Sequence, residues 1–207
     1  LGDVDIGALV LPHSSVQPEA YARKWNEYLL VRDAAAFRPT VERWVAAFGT
    51  WGADSVATGA VVLHRGRHRW RRVLMLDGTP GGDGGSQILR IVADADGGAR
   101  SDEQIAATTF ALVAPHRLEQ SLRYDGAWGV DTVQMVLDDT AGITGSIDPL
   151  AVHVILRLDG ARPLSTVCDE TSSDLGLDAD DLRSRAVATC RTLAERGCLE
   201  VVPSPPR

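Results

Sequence analysis

The segment HRGRHRWRR, residues 64–72, holds five arginines, two histidines and a tryptophan, and no acid. It stands in a chain whose formal net charge is −7, so it is the sharpest charge asymmetry in the sequence. On an extended strand Arg67, Arg69 and Arg71 share one face, opposite His68, Trp70 and Arg72. Such a strip can face an anion: RNA, a phosphorylated substrate or an acidic protein surface. It also suits a solvated hairpin whose arginines pair with surrounding acids. That plainer reading is favoured, because surface ion pairs are common and weak.

A second candidate is the glycine-rich stretch GTPGGDGGS, residues 78–86. A phosphate cradle needs a strand before it, a helix N-terminus after it, and GxGxxG or GxxxxGK[ST] spacing. Neither spacing is present, and Asp83 repels a phosphate, so a surface loop is expected. The third candidate is aromatic: Tyr21, Trp25, Trp44 and Trp51 fall on two successive helical segments. Helical spacing favours core packing for Trp25 and Trp44. The functional alternative puts Tyr21, Trp25 and Trp44 on the substrate side of a site.

Other chemistry is weaker. His64 and His68 have i, i+4 spacing, which converges on a helix but not on a strand. Cys168, Cys190 and Cys198 form no CxxC pair and read as small buried apolar residues. No metal site is expected. No GxSxG elbow occurs, and His116 has no evident partner, so no catalytic residue can be named.

The chain has 207 residues, 44% hydrophobic and 24% charged, the balance of an ordinary globular protein. Its acidity, with an isoelectric point near 5.2, argues against a general binder of nucleic acid or anionic membranes. No run approaches the ~18 apolar residues that span a bilayer. The acidic start LGDVDIGALVLP does not read as a signal peptide. Three cysteines make no disulfide framework and fit a reducing cytoplasm.

These residues need elements to position them. VDIGALVLP (4–12) reads as a buried strand ended by Pro12. A helix follows over 18–31, and a second after Pro39, with Val41, Trp44, Val45 and Phe48 on one face. Residues 54–64 and 67–76 read as a hairpin turning at Gly66. Ser86 caps a short helix over 87–95 with Ile88, Leu89 and Val92 inward, and Ser101 caps another. Residues 117–124 and 129–138 form two strands around Asp125-Gly126. Asp148-Pro149 opens a helix carrying Val152, Ile155 and Leu156. A helix near Pro163 turns Leu164, Val167 and Cys168 inward. Asp178 caps a third, with Leu182, Ala186, Cys190, Leu193 and Ala194 inward, ended by Gly197. CLEVV (198–202) is a final strand. Three helices and a strand make a winged-helix-like unit.

Four stretches together resemble a known family. They are VDIGALVLPHSSVQPEAYARKW (4–25), VERWVAAFGTWGADSVATGAVVLHRG (41–66), APHRLEQ (114–120) and residues 147–202. In this order they are similar to the C-terminal portion of an actinobacterial type of class I S-adenosylmethionine-dependent methyltransferase. The resemblance implies a mixed α/β fold. Residues 1–76 would supply the last strands and helices of a Rossmann-like core, 77–145 a connecting segment, and 146–207 the winged-helix-like domain. It makes 4–12 the sixth strand of the sheet and 54–64 the seventh, antiparallel to it. The family's glycine-rich turn, its acid after the second strand and its Asn-Pro-Pro-aromatic motif do not occur here. S-adenosylmethionine is therefore expected to bind the complete enzyme and not this chain alone. The expected partners are the missing N-terminal portion and an unidentified methyl acceptor, without DNA or membrane. The start at Leu1 fits a fragment, from a split gene, proteolysis or trimming. The alternative is a non-catalytic module that binds nucleic acid or protein through the arginine hairpin or the winged-helix-like domain.

Overall fold

Strand β1 (Ile6–Val16) alternates, with Gly7, Leu9 and Leu11 buried on one side. The computed structural model describes residues 5–77, 81, 82, 84–138 and 140–203. Pro12 does not end β1, because proline's fixed φ suits extended chain and only a donor is lost. The helix expected over 18–31 is broken. α1 (Pro18–Asn26) stops where buried Asn26 donates its Nδ2 back to the Ala22 carbonyl at 2.8 Å, and α2 (Leu29–Arg32) follows. α3 (Ala34–Thr50) starts before Pro39 instead of after it. Asp33 caps it by accepting from the Ala36 amide at 3.3 Å, and Pro39 is carried inside the helix.

β2 (Val56–Arg65) runs antiparallel to β1: Ser14 Oγ meets Thr58 Oγ1 at 2.7 Å, and the Gly66 amide donates to the Asp5 carbonyl. The expected hairpin is not formed. β3 (Trp70–Val73) lies beside β1, giving the order β2-β1-β3. Gly7 permits this. A Cβ there would lie 2.1 Å from Trp70 Cε2, so the indole sits where a side chain would be.

The chain divides into two compact units, one of residues 10–61 and one of residues 1–9 with 62–207. The smaller buries few apolar side chains: Leu11, Ala22 and Val41.

The larger unit holds the main core. α4 (Gly84–Asp96) begins earlier than Ser86, and it buries Gln87, Ile91, Val92 and Ala95, whereas Leu89 is exposed. Ser101 forms a full capping box with Gln104 at α5 (Asp102–Ala106). β4 (Thr109–Leu112) was not anticipated. β5 (His116–Tyr124) and β6 (Trp128–Leu137) form the expected hairpin around Asp125-Gly126, and β7 (Gly145–Ile147) adds to β6. Asp148 Oδ1 accepts from the Leu150 and Ala151 amides just before α6 (Val152–Ile155). Leu156, expected inward, is exposed because the helix ends before it.

β8 (Asp159–Pro163) leads into α7 (Leu164–Leu175) and α8 (Ala179–Glu195), and β9 (Leu199–Val202) closes the chain. β8, β4 and β9 form an antiparallel sheet in that order. The expected inward residues of α7 and α8 are all buried, with Asp178 capping α8 and Gly197 at φ 68° after it. The fold is mixed α/β. No helix among the described residues is long and apolar enough to cross a membrane.

Candidate functional site

Two arrangements could do chemistry, one in each unit. In the smaller, Tyr21 and Trp25 are one turn apart on α1, and Trp44 and Phe48 one turn apart on α3, so each helix presents one aromatic stripe. Tyr21 sits at the centre, with ring centroids 5.8 Å from Trp25, 6.3 Å from Trp44 and 6.1 Å from Phe48. Trp51 extends the row at 5.9 Å from Phe48. The expected burial of Trp25 and Trp44 is not found. Trp25 is 58% exposed, Trp44 36% and Trp51 75%. The rings pack on one another along the seam, but their outer faces are open, and Ala22 and Val41 take the buried positions. Open aromatic faces offer stacking to a planar or apolar group.

In the larger unit, exposure alternates along the arginine strip, but only Trp70, Arg71 and Arg72 lie on β3, and Arg67 and His68 sit in a bend before it. Arg67, Arg69 and Arg71 are exposed, and His68, Trp70 and Arg72 half-buried. Arg72 is structural. Its Nη1 and Nη2 donate to Asp94 Oδ2 at 3.0 and 3.1 Å, and Nη1 also donates to the Glu195 carbonyl at 3.0 Å. Arg100 pairs with the other oxygen of Asp94. Arg191, from α8, donates to the Arg100 carbonyl at 2.6 Å and pairs with Asp102. With Arg69 and Arg71 these side chains border a cleft of about 280 Å³. Arg67 lies outside it. Sequence reasoning found the β3 arginines but missed Arg100 and Arg191, which come from distant segments and carry no local signal.

Changing Arg67, Arg69 and Arg71 together to serine should leave the melting temperature almost unchanged, since exposed arginines contribute little. A fall as large as a core truncation gives would make the strip structural.

The turn before β3 has its own anchor. The Arg67 amide donates to Asp96 Oδ1 at 2.9 Å, and this bond holds the Asp96 carboxyl below the usual carboxylate range, helped by His64 and His68. A lowered folded value means that the contact is at full strength above the ordinary carboxylate range. It is lost as pH falls through the lowered value. The ¹⁵N shift of the Arg67 amide should report that transition, and Asp96→Asn should abolish it. A shift insensitive to the substitution would overturn the assignment.

The remaining candidates are quiet. Cys168, Cys190 and Cys198 are free and buried; burial pushes the thiols up, to about 11 at Cys168, about 12 at Cys198 and further at Cys190. They are poor nucleophiles and ligands in this state. His116 Nδ1 lies 2.8 Å from the Val113 carbonyl, a local structural contact. Among the described residues, no three His, Cys, Asp or Glu side chains are grouped to hold a metal. Residues 78–80 and Asp83 of the glycine-rich stretch lie outside the described residues.

No protein-family model matches the chain, and no curated protein matches it.

Proposed function

We propose that this chain is the C-terminal part of a class I S-adenosylmethionine-dependent methyltransferase. In this reading β1 and β2 finish a Rossmann-like sheet, and Tyr21, Trp25 and Trp44 shape the substrate side. The parent reaction moves the cofactor's methyl group to a nitrogen, oxygen or carbon nucleophile, chemistry that rests on positioning and exclusion of water. Strand, helical connection and antiparallel strand occur in the order that the resemblance requires.

The observation that carries the reading is missing cover. The 10–61 unit buries Leu11, Ala22 and Val41, yet leaves Trp25, Tyr28, Val31, Trp51 and Val61 more than half exposed. β2 has β1 as its one neighbour among the described residues, and Leu63 beside its free edge is 69% exposed. An apolar edge strand of this kind calls for another strand. The β8-β4-β9 sheet with α6, α7 and α8 supports the winged-helix-like terminal domain, β4 being drawn from an upstream segment.

Gly84 serves packing: a Cβ there would lie 3.2 Å from Ala141 Cα. That use supports a cofactor held by residues outside this chain, and no step through the cofactor is assigned to the residues described.

Hydrogen exchange tests the reading. Mixing with a Rossmann-like core polypeptide encoded directly upstream should protect the β2 amides, Val56–Arg65. Unchanged exchange in a mixture with that core, or a genome without one upstream, would overturn it.

The winged-helix-like part should not shift duplex DNA. Three of its arginines are already matched: Arg183 by Asp169, Arg185 by Asp181 and Asp148, Arg162 by Asp159 and Glu170. α8 opens with Asp178, Asp180 and Asp181, where phosphates would have to approach. A salt-dependent shift in a gel assay would contradict this.

A further inference from the structure

We propose that the cleft bordered by Arg69, Arg71, Arg100 and Arg191 beside Trp70 binds the phosphate or diphosphate group of a small phosphorylated ligand. This does not depend on the methyltransferase reading, because every residue involved belongs to the larger unit.

Charge is the first argument. Five guanidiniums line the cleft, counting Arg72, against the carboxylates of Asp94 and Glu195, with Asp102 paired to Arg191 and Asp5 lying 3.5 Å from Arg69, so cations still outnumber these four acids by one. Asp94 is shared between Arg72 and Arg100, one on each oxygen, so a single negative charge faces two positive ones. The Arg71 side chain makes no hydrogen bond or ion pair among the described residues. A cationic excess of this kind, held against low-dielectric walls, concentrates anions.

Preorganisation is the second. Arg100 is fixed by Asp94, and Arg191 by Asp102 and the Arg100 carbonyl. Their rotamer freedom is lost on folding, so less is lost when a ligand arrives. Guanidinium forks also match phosphate oxygens in a way that a point charge does not.

Shape is the third. Trp70, Ile105 and Phe110 give the cleft apolar lining, and its volume of about 280 Å³ fits a compact anionic group. The same features disfavour an extended nucleic-acid backbone. Asp102 and Glu195 stand around Arg191, where successive phosphates along a strand would meet them.

Arg67 supplies an internal control. It is exposed like Arg69 and Arg71 but lies in the bend before β3 and does not border the cleft. The test is calorimetric titration of the full chain with pyrophosphate. A saturable one-to-one heat is expected. Arg71→Ser should weaken it about tenfold, the loss of one charge-assisted hydrogen bond. Arg67→Ser should leave affinity within about twofold, as for a distant screened charge. Arg71 is exposed and its side chain has no ion pair among the described residues, so its variant should melt with the parent, and a melting scan confirms that both variants are folded. Three results would overturn the proposal: no saturable heat, equal losses in the two variants, or a single-stranded oligonucleotide bound more tightly than pyrophosphate.

Discussion

Replacing Gln87 by leucine should destabilise the larger unit by about 3–5 kcal/mol, because it strands two buried backbone groups and one part-buried one at roughly 1–3 kcal/mol each. Gln87 is completely buried on α4. Its Nε2 donates to the Ile143 carbonyl at 2.8 Å and to the Arg196 carbonyl at 2.9 Å, and its Oε1 accepts from the Ala141 amide at 3.1 Å. One amide thus ties the start of α4 to the segment before β7 and to the end of α8. Leucine keeps nearly the same volume, so little of the loss comes from a cavity. Glutamate fares no better, since it turns a double donor toward two carbonyls into an acceptor. Leu89→Ala is the control: it lies two residues away but is 69% exposed, and it should be close to neutral. Urea denaturation of the three proteins decides the matter. A Gln87→Leu loss below about 1 kcal/mol, the ordinary cost of a substitution, would mean that water or relaxation satisfies these groups.

The same residue explains why α4 was misread from sequence. Ile88, Leu89 and Val92 are apolar and suggest one inward face, but the buried face runs through Gln87, Ile91, Val92 and Ala95. A polar side chain with a full set of partners is invisible to a hydrophobic pattern. α7 and α8 posed no such problem. Most of their buried positions are apolar, with cysteine among them and only Thr171, Ser172 and Thr189 polar, and Asp178 and Gly197 mark the limits of α8 by capping and by a left-handed turn. The strands β4, β7 and β8 have three to five residues each and pair over long sequence distances. β8 reads DGARP, which carries two residues that normally argue against a strand.

Pairing was harder than element type. Adjacent strands around Gly66 suggest a hairpin, yet β3 joins β1, because Gly7 leaves room for the Trp70 indole and Asp96 holds the intervening turn. The cleft was half legible for the same reason. The alternation of Arg69 and Arg71 is local, but Arg100 and Arg191 arrive through the packing of α4, α5 and α8. Aromatic spacing likewise identified the stripes on α1 and α3, but spacing cannot say whether anything covers them.

Titrating the 207-residue chain with S-adenosylmethionine should give no saturable heat, and joining the chain to its proposed core should restore one. The site in such enzymes needs backbone amides at a tight glycine turn and a carboxylate for the ribose hydroxyls. Gly84 is closed off by Ala141, and the helix that it opens is fastened by Gln87. Asp77, a candidate carboxylate, instead faces Arg196 at 3.6 Å. Asp83, the other, lies outside the described residues. The edge of β2 that is unpaired among the described residues, together with exposed Val61 and Leu63, should also make the chain alone self-associate, which light scattering measures. Addition of the core should remove the scattering and create the binding heat together, since one event, pairing along β2, is responsible for both. Scattering lost without a gain in binding would indicate a partner other than a methyltransferase core. A one-to-one heat from the monomeric chain alone would mean that these residues hold the cofactor themselves, and the reading as a C-terminal part would fail.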